Sequence, residues 1–216
     1  MALVDYKNEM VLQRTQMVEK QLKSRSITDP IVLHVMELVP RHLFLEEGLG
    51  FRAYDDCPMP IGYGQFISQP YMVAYMTQAL QLKRTDAVLE IGSGCGYQTA
   101  VLALMAKQVL AIEIIPQLRE KSLTALTKLG LNNVLLKLGD GRLGWPEMAP
   151  FNAILVAAYS ETLPKILFDQ LAVGGRMIIP LGPENNQKLV MIVKDENGVQ
   201  RRQILERCRF VPLVNG

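Results

Sequence analysis

The chain has 216 residues, and its 23 basic and 21 acidic side chains give a net charge of +2. This balance gives no reason to expect a nucleic-acid or membrane partner, and a hydrophobic content of 49% is typical of a globular protein. The length favours a single domain over residues 1–216. Three cysteines without metal or disulfide spacing, and a start that lacks a long apolar run, predict a cytoplasmic protein with no metal site.

Residues 1–70 are predicted to form two helices followed by a substrate and lid block. The first helix is expected over Asn8–Lys23 and the second over Ile31–Val39, where Pro40 ends it. The segment Glu46–Pro70 is rich in glycine, proline and aromatic residues. That composition predicts irregular structure, which on a rigid scaffold often carries function.

Residues 71–216 are predicted to form the cofactor-binding core, because short apolar runs alternate with amphipathic segments. The expected helices are Pro70–Leu82, Tyr97–Met105, Pro116–Leu129 and Thr162–Leu171. The expected strands are Ala87–Ile91, Gln108–Ile114, Val134–Leu138, Ala153–Ala157, Arg176–Pro180, Lys188–Lys194 and Arg207–Val214. The turn sequence DENG between the last two strands predicts an antiparallel pair at one edge. The predicted fold is therefore α/β: a doubly wound, mostly parallel seven-stranded Rossmann-like sheet with N-terminal helices.

A glycine-rich loop, Gly92 to Gly96, follows the first strand of this core and precedes a helix. Glycine at this place allows a ligand to approach the backbone closely, and the helix start offers free N–H groups. Ligands of doubly wound sheets bind beyond the carboxyl ends of the strands. The loop, Glu113 and Asp140 are therefore expected to meet in one crevice, because the two acids stand at the ends of the next two strands.

The spacing and charge of this loop favour S-adenosylmethionine over NAD. A dinucleotide site has the pattern G-x-G-x-x-G, whereas this loop has G-x-G-x-G. Glu90, two residues before the first glycine, would repel a pyrophosphate but suits the cationic amino group of S-adenosylmethionine. Glu113 is expected to accept the ribose hydroxyls, and Asp140 the adenine amino group.

Longer segments of the chain resemble a known family. VLEIGSGCGYQTAVLA and LKLGDGRLGWPEMAPFNAILVAA resemble class I methyltransferases, and PIGYGQFISQPYMVAYM is similar to the signature block of the protein-L-isoaspartate O-methyltransferases. The resemblance implies methyl transfer from S-adenosyl-L-methionine to the free α-carboxyl of L-isoaspartyl residues, which form when proteins age. The implied partners are isoaspartyl-containing proteins and peptides, and a monomer is favoured.

The resemblance also implies the site residues. Ser68 is the implied catalytic serine, which would orient the acceptor carboxylate; from the residues alone, a helix N-cap before Pro70 explains Ser68 equally well. The segment Gly64–Ser68 is expected to close over the cofactor. The implied cofactor-binding residues are Gln65, Ile67, Ser68, Tyr71, Glu90, Gly92, Ser93, Gly94, Gly96, Glu113, Ile114, Asp140 and Gly141. The implied substrate residues are Pro60, Ile61, Phe66, Ala158, Val211 and Val214.

Two departures from the family pattern keep alternatives open. Phe66 stands where the family usually has threonine, and Tyr159 stands where smaller residues are common, so Tyr159 is expected to narrow the pocket. A methyltransferase of the same fold with another acceptor is one alternative, and a non-catalytic S-adenosylmethionine-binding interaction module is the other. The edge of the predicted strand Arg207–Val214 is expected to pair with an extended peptide substrate.

Overall fold

The computed structural model describes the backbone of residues 2–215 and the side chains of residues 8–215. Met1 and Gly216, the ends of the predicted domain, therefore lie outside the described residues. The α-helices are α1 (Ala2–Met17), α2 (Pro30–Leu38), α3 (Pro70–Leu80), α4 (Tyr97–Ala103), α5 (Pro116–Lys128) and α6 (Lys165–Asp169). The strands are β1 (Met59–Gly62), β2 (Gln65–Ile67), β3 (Ala87–Ile91), β4 (Gln108–Glu113), β5 (Val134–Leu138), β6 (Phe151–Val156), β7 (Leu171–Leu181), β8 (Lys188–Lys194) and β9 (Gln200–Arg207).

Capping side chains and backbone conformation set the ends of the N-terminal helices. Helix α1 continues as a π-helical turn, Val18–Leu22, and a 3₁₀ turn that stops at Ser26, whose φ is +70°. Asp29 caps α2, since its side chain accepts hydrogen bonds from the backbone N–H of Ile31 and Val32. Pro30 occupies the first helical position, where a missing N–H costs nothing.

Seven strands form the central sheet in the order β5-β4-β3-β6-β7-β8-β9. The first five are parallel, whereas β8 is antiparallel to β7 and β9 is antiparallel to β8. Successive residues of β3 lie in different buried clusters: Val88 with α3 and α4 on one face, and Leu89 with α6 on the other. Burial on both faces explains the nearly continuous apolar runs of the parallel strands. The predicted α/β fold is confirmed.

Two elements near the end of the chain differ from the prediction. The seventh strand is Gln200–Arg207, not Arg207–Val214, because the hydrogen-bonded turn after β8 pairs Lys194 directly with Gln200. The expected helix Thr162–Leu171 is only the short α6, since β7 already begins at Leu171.

Beyond β9 the chain crosses the carboxyl ends of the strands, and the only strand pairing of its described residues is an isolated bridge to Tyr159. The Val211 carbonyl accepts a hydrogen bond from Tyr159 N–H (2.8 Å), and Leu213 N–H donates to the Tyr159 carbonyl (2.8 Å). The predicted strand Arg207–Val214 is therefore wrong, because all of this segment after Arg207 lies outside β9 and part of its backbone pairs with Tyr159. That the segment pairs with a peptide substrate stays a prediction.

The predicted irregular block contains a small antiparallel hairpin of β1 and β2. Its tip is Gly62-Tyr63-Gly64, and all three residues have positive φ. Glycine makes this backbone possible on both sides of Tyr63. The hairpin brings Ile61 and Phe66 to the carboxyl end of the sheet, where the candidate site lies.

One buried cluster joins the N-terminal helices to the rest of the fold, since Met17, Leu22 and Val35 belong to it together with Tyr97 and Leu118. Within residues 2–215, none of the helices combines the length and apolar character that a bilayer span requires.

Candidate active site

A pocket that is open to solvent lies at the carboxyl ends of β3, β4 and β6. Its wall comes from chain segments that are far apart in sequence. They are Ile61, Gln65 to Ser68, Val73, Ile91 to Cys95, Tyr97, Gln98, Ile112 to Ile115, Gly139, Gly141, Ala157, Ala158 and Val211 to Val214.

The glycine loop needs its glycines for both backbone and space. Gly92, Gly94 and Gly96 have φ values of +84°, +54° and +92°, which side chains rarely adopt. A Cβ on Gly96 would lie 2.5 Å from the Ser122 Oγ, and one on Gly94 would lie 3.2 Å from the Ile61 Cδ1. Within the chain, the N–H groups of Gly92 and Ser93 donate to the Ile112 carbonyl (2.8 and 3.3 Å), and that of Gly96 donates to the Ser93 carbonyl (2.8 Å).

Glu113 ends β4 and organises the loop. Its Oε2 accepts a hydrogen bond from Gly94 N–H (2.7 Å), and its Oε1 accepts from the N–H groups of Ile114 (2.9 Å) and Ile115 (3.0 Å). The side chain is only 5% exposed but lines the pocket. Since each carboxylate oxygen has two lone pairs, Glu113 retains acceptor capacity for a ligand hydroxyl.

Glu90 does not reach the pocket wall, although its neighbour Ile91 does. Side chains alternate along a strand, so Glu90 points to the opposite face of β3. It is fully buried, and neither carboxylate oxygen nor the Thr99 hydroxyl has hydrogen-bond geometry with a partner among the described residues. Burial raises the pKa of Glu90 to about 8, the nearby Thr99 hydroxyl lowers this pKa, and the charge of Glu113 raises it.

Asp140 lies between two wall residues, Gly139 and Gly141, but is not itself part of the wall. Its carboxylate pairs with Arg142, with 2.7 Å between Oδ2 and Nη2, and Oδ1 accepts from Arg142 N–H at 2.9 Å. Gly141 has no room for a side chain, because a Cβ there would lie 2.3 Å from the Ile91 Cγ2. The backbone around Asp140 therefore reaches the pocket more directly than its carboxylate does.

Ser68 is partly exposed on the pocket wall, directly after β2. The N-cap of α3 is Gln69, and its side chain makes no capping hydrogen bond. Within residues 8–215, the Ser68 hydroxyl has no hydrogen-bond partner. The cap hypothesis thus has no support in the geometry, whereas a hydroxyl facing the pocket is available to a ligand.

Other predicted site residues divide between the pocket and its surroundings. Pro60 pairs with Phe66 across the hairpin without reaching the wall. Tyr71 points away: its ring stacks on Tyr75, and its hydroxyl donates to Glu206 (3.4 Å). The predicted residues that do line the pocket are Ile61, Gln65, Phe66, Ile67, Ser68, Gly92, Ser93, Gly94, Glu113, Ile114, Gly141, Ala158, Val211 and Val214.

Several wall residues are not among the predicted site residues, and Cys95, Gln98 and Ala157 are examples. Cys95 sits inside the glycine loop, and Ala157 directly follows β6, so the carboxyl-end rule identifies both. Tyr159 does not line the pocket, contrary to the expectation that it narrows it, because its backbone pairs with the segment after β9.

The charge of the pocket is one-sided. Among the described residues, no lysine, arginine or histidine lines it, and Glu113 is its one carboxylate. Burial raises the pKa of the Cys95 thiol to about 11 and that of the Tyr97 hydroxyl to about 12. Neither group therefore ionises near neutral pH to act as a base or nucleophile. In the described part of the chain, no group of three or more His, Cys, Asp or Glu side chains is arranged to hold a metal ion.

Comparison with known proteins identifies the family and the fold. The family model of protein-L-isoaspartate(D-aspartate) O-methyltransferases matches residues 12–216. The chain belongs to this family. The protein-L-isoaspartate O-methyltransferase of Opitutus terrae is 50% identical over 209 residues, covering 97% of this chain and 90% of the relative. That of Geobacter metallireducens is 49% identical over 203 residues, covering 94% of each.

Solved structures of protein-L-isoaspartate O-methyltransferases share the fold. One from Plasmodium falciparum, in complex with S-adenosyl-L-homocysteine, has a TM-score of 0.82 and 29% identity, covering 94% of this chain and 99% of the other. A second has a TM-score of 0.83 and 26% identity, covering 94% of this chain and 66% of the other. The family predicted from the sequence is confirmed, and the chain is a class I, S-adenosylmethionine-dependent methyltransferase.

Proposed function

We propose that this chain methylates the free α-carboxyl of L-isoaspartyl residues in damaged proteins and peptides, and that the pocket described above is its active site. The observation that carries the proposal is the position of Ser68. Its hydroxyl, which has no hydrogen-bond partner within residues 8–215, shares one pocket with the glycine loop and Glu113. A hydroxyl for the acceptor and a loop for the cofactor are thus open to the same space.

The wall residues fit S-adenosylmethionine. The glycine backbone leaves space for close approach, and the Ser93 hydroxyl on the wall is buried without a partner among the described residues. We assign backbone contacts to the glycine loop and Ile114, the ribose hydroxyls to Glu113, and the adenine end to Gly141. Gln65 and Ile67 would cover the cofactor from the hairpin. Tyr71 is left out, because its side chain points away from the pocket.

Glu90 and Asp140 would act from behind this wall. The buried Glu90 carboxyl would attract the amino group of the cofactor through the loop, once ionised. Asp140 would position Gly141 and share its carboxylate between Arg142 and the adenine amino group. In these roles Glu90 and Asp140 would bind the cofactor less strongly than through the direct contacts that the sequence predicts.

The residues have a positioning task rather than an acid–base task. The cofactor supplies a methyl group on a sulfonium, a good leaving group, and a carboxylate is already a nucleophile. Ser68 would donate a hydrogen bond to one carboxylate oxygen and leave the other in line with the methyl carbon. Because no described lysine or arginine lines the wall, the acceptor carboxylate would have no ion-pair partner there and would keep its nucleophilicity. The apolar side chains of Ile61, Phe66 and Val214 would help to exclude water.

Labelled S-adenosylmethionine with matched peptides tests this proposal. Base-labile label is expected in an L-isoaspartyl peptide and not in its L-aspartyl counterpart. Cofactor binding, measured by calorimetry, is the control for an intact site. Binding without label would favour the non-catalytic module, and label in another acceptor would favour the alternative methyltransferase. A single domain, a monomeric state and a cytoplasmic location remain predictions from the sequence.

A further inference from the structure

Gln98 is a half-buried residue of the pocket wall near the start of α4, and it is not among the predicted site residues. Its side-chain amide is held at one end. The Nε2 atom donates a hydrogen bond to the Thr77 hydroxyl of α3 (3.0 Å). Within residues 8–215, the Oε1 atom has no hydrogen-bond partner. Gln98 therefore brings a fixed amide with one unused acceptor to the wall of the pocket.

The Thr77 hydroxyl decides which end of this amide is free. It donates its proton to the Val73 carbonyl, one helical turn earlier in α3 (2.7 Å). A hydroxyl has a single proton, so toward Gln98 it can only accept, and only the NH₂ group of the amide can donate to it. The amide cannot turn over without losing this hydrogen bond. Its oxygen therefore stays the free end.

We propose that the Gln98 Oε1 atom accepts a hydrogen bond from the α-amino group of S-adenosylmethionine. The inference rests on the proposed function in one respect, since it takes the pocket as the cofactor site. It gives the amino group a direct side-chain partner, whereas Glu90 acts on that group only from behind the glycine loop.

The order of the strands places Gln98 at the amino-acid end of the cofactor. In the assignment above, adenine lies at Gly141, after β5, and ribose lies at Glu113, which ends β4. In the sheet order β5-β4-β3-β6-β7, the rest of the cofactor then extends toward β3 and β6. Gln98 lies on this side, because α4 follows β3, and α3, to which its amide is bonded, shares a buried cluster with Ile178 of β7.

The amino group needs an acceptor that Glu113 does not supply. Glu113 is the one carboxylate on the described pocket wall, and it already accepts three backbone N–H groups beside the assigned ribose. An ammonium group only donates hydrogen bonds, so it requires oxygen atoms such as the Gln98 Oε1. Because Thr77 already holds the Gln98 amide, little side-chain freedom is lost when the cofactor binds.

Calorimetric titration with two ligands tests this contact without any methyl transfer. The ligands are S-adenosyl-L-homocysteine and its analogue that lacks only the α-amino group. Gln98→Met keeps the length of the side chain but removes the oxygen. It should raise the Kd of S-adenosyl-L-homocysteine about tenfold, the effect of one hydrogen bond to a charged group. The Kd of the analogue should not change, whereas a general disturbance of the pocket would raise both constants.

Two variants complete the test. Gln98→Glu restores an acceptor and should recover most of the affinity for S-adenosyl-L-homocysteine. Gln203→Met, at an exposed glutamine of β9, is the matched control and should leave both constants unchanged. An equal loss of affinity for the two ligands in Gln98→Met, or an effect confined to the KM of the peptide, would overturn the proposal.

The peptide assay of the proposed function gives a separate answer. Wild-type protein that binds S-adenosyl-L-homocysteine through Gln98 but transfers no methyl group to an isoaspartyl peptide would refute the proposed function and support this contact. Methylation of the peptide, together with equal losses for the two ligands, would refute the contact alone.

Discussion

Glu90 offers a direct test of the buried carboxyl group behind the glycine loop. Its pKa is raised from 4.5 to about 8 by burial, so the folded chain holds a proton between these pH values that the unfolded chain has lost. The stability of the cofactor-free protein should therefore fall as pH rises through this window, and Glu90→Gln should remove that fall. At about 1.4 kcal/mol per pH unit, the free energy of unfolding of wild type should drop by roughly 4 kcal/mol relative to the variant across the window.

Urea denaturation of both proteins between about pH 5 and about pH 8 measures this difference, in which the titration of all other groups cancels to first order. The exposed Glu161 serves as the control, because Glu161→Gln should change the free energy of unfolding by less than about 0.5 kcal/mol at any pH. A constant difference between wild type and Glu90→Gln across the range would refute the reasoning. It would mean that Glu90 is already ionised in the folded chain.

Three further changes test the site and the helices. Ser68→Ala should lower kcat about 10- to 100-fold, because it removes one hydrogen bond to a charged group. Cofactor affinity measured by calorimetry should change less, and Ser68→Thr should recover part of the rate. Gly96→Ala should lower the free energy of unfolding, measured in urea, by ~2–3 kcal/mol, because φ is +92° and the new Cβ would contact Ser122. Adding Ser122→Gly should restore the part of this loss that comes from the contact, but not the part that comes from backbone strain. Asp29→Ala should cost about 1 kcal/mol through the lost α2 cap, and Asp29→Asn should cost less; equal losses would contradict the capping role.

The sheet was predictable where its strands are buried on both faces. Val88 and Leu89 of β3 pack in opposite directions, and such runs stand out in a sequence. The edge strand β9 was missed, because its residues Gln200 to Gln203 are polar and exposed and leave little hydrophobic pattern. The apolar run near Val211 looks more like a strand, but it packs across the strand ends as a wall of the pocket.

The sequence predicts the location of the candidate site better than it predicts which side chains line the pocket. The carboxyl-end rule and the family resemblance together point to Ser68, the glycine loop and Glu113, which the structure brings into one pocket. The rule says which residues stand near the crevice but not which way their side chains point. Glu90 shows this limit, although the two-residue alternation along β3, with Ile91 on the wall, would have placed it correctly.

The pocket wall draws on segments that are far apart in sequence, from Ile61 in the hairpin to Val214 after β9. Because these segments meet only in the folded chain, cofactor binding should stabilise the folded state over the unfolded state. At a cofactor concentration about 100 times its Kd, this coupling adds ~2.7 kcal/mol to the free energy of unfolding. The lifetime of the enzyme against proteolysis should therefore follow the supply of S-adenosylmethionine, so that a starved cell loses repair capacity twice, through substrate and through protein turnover.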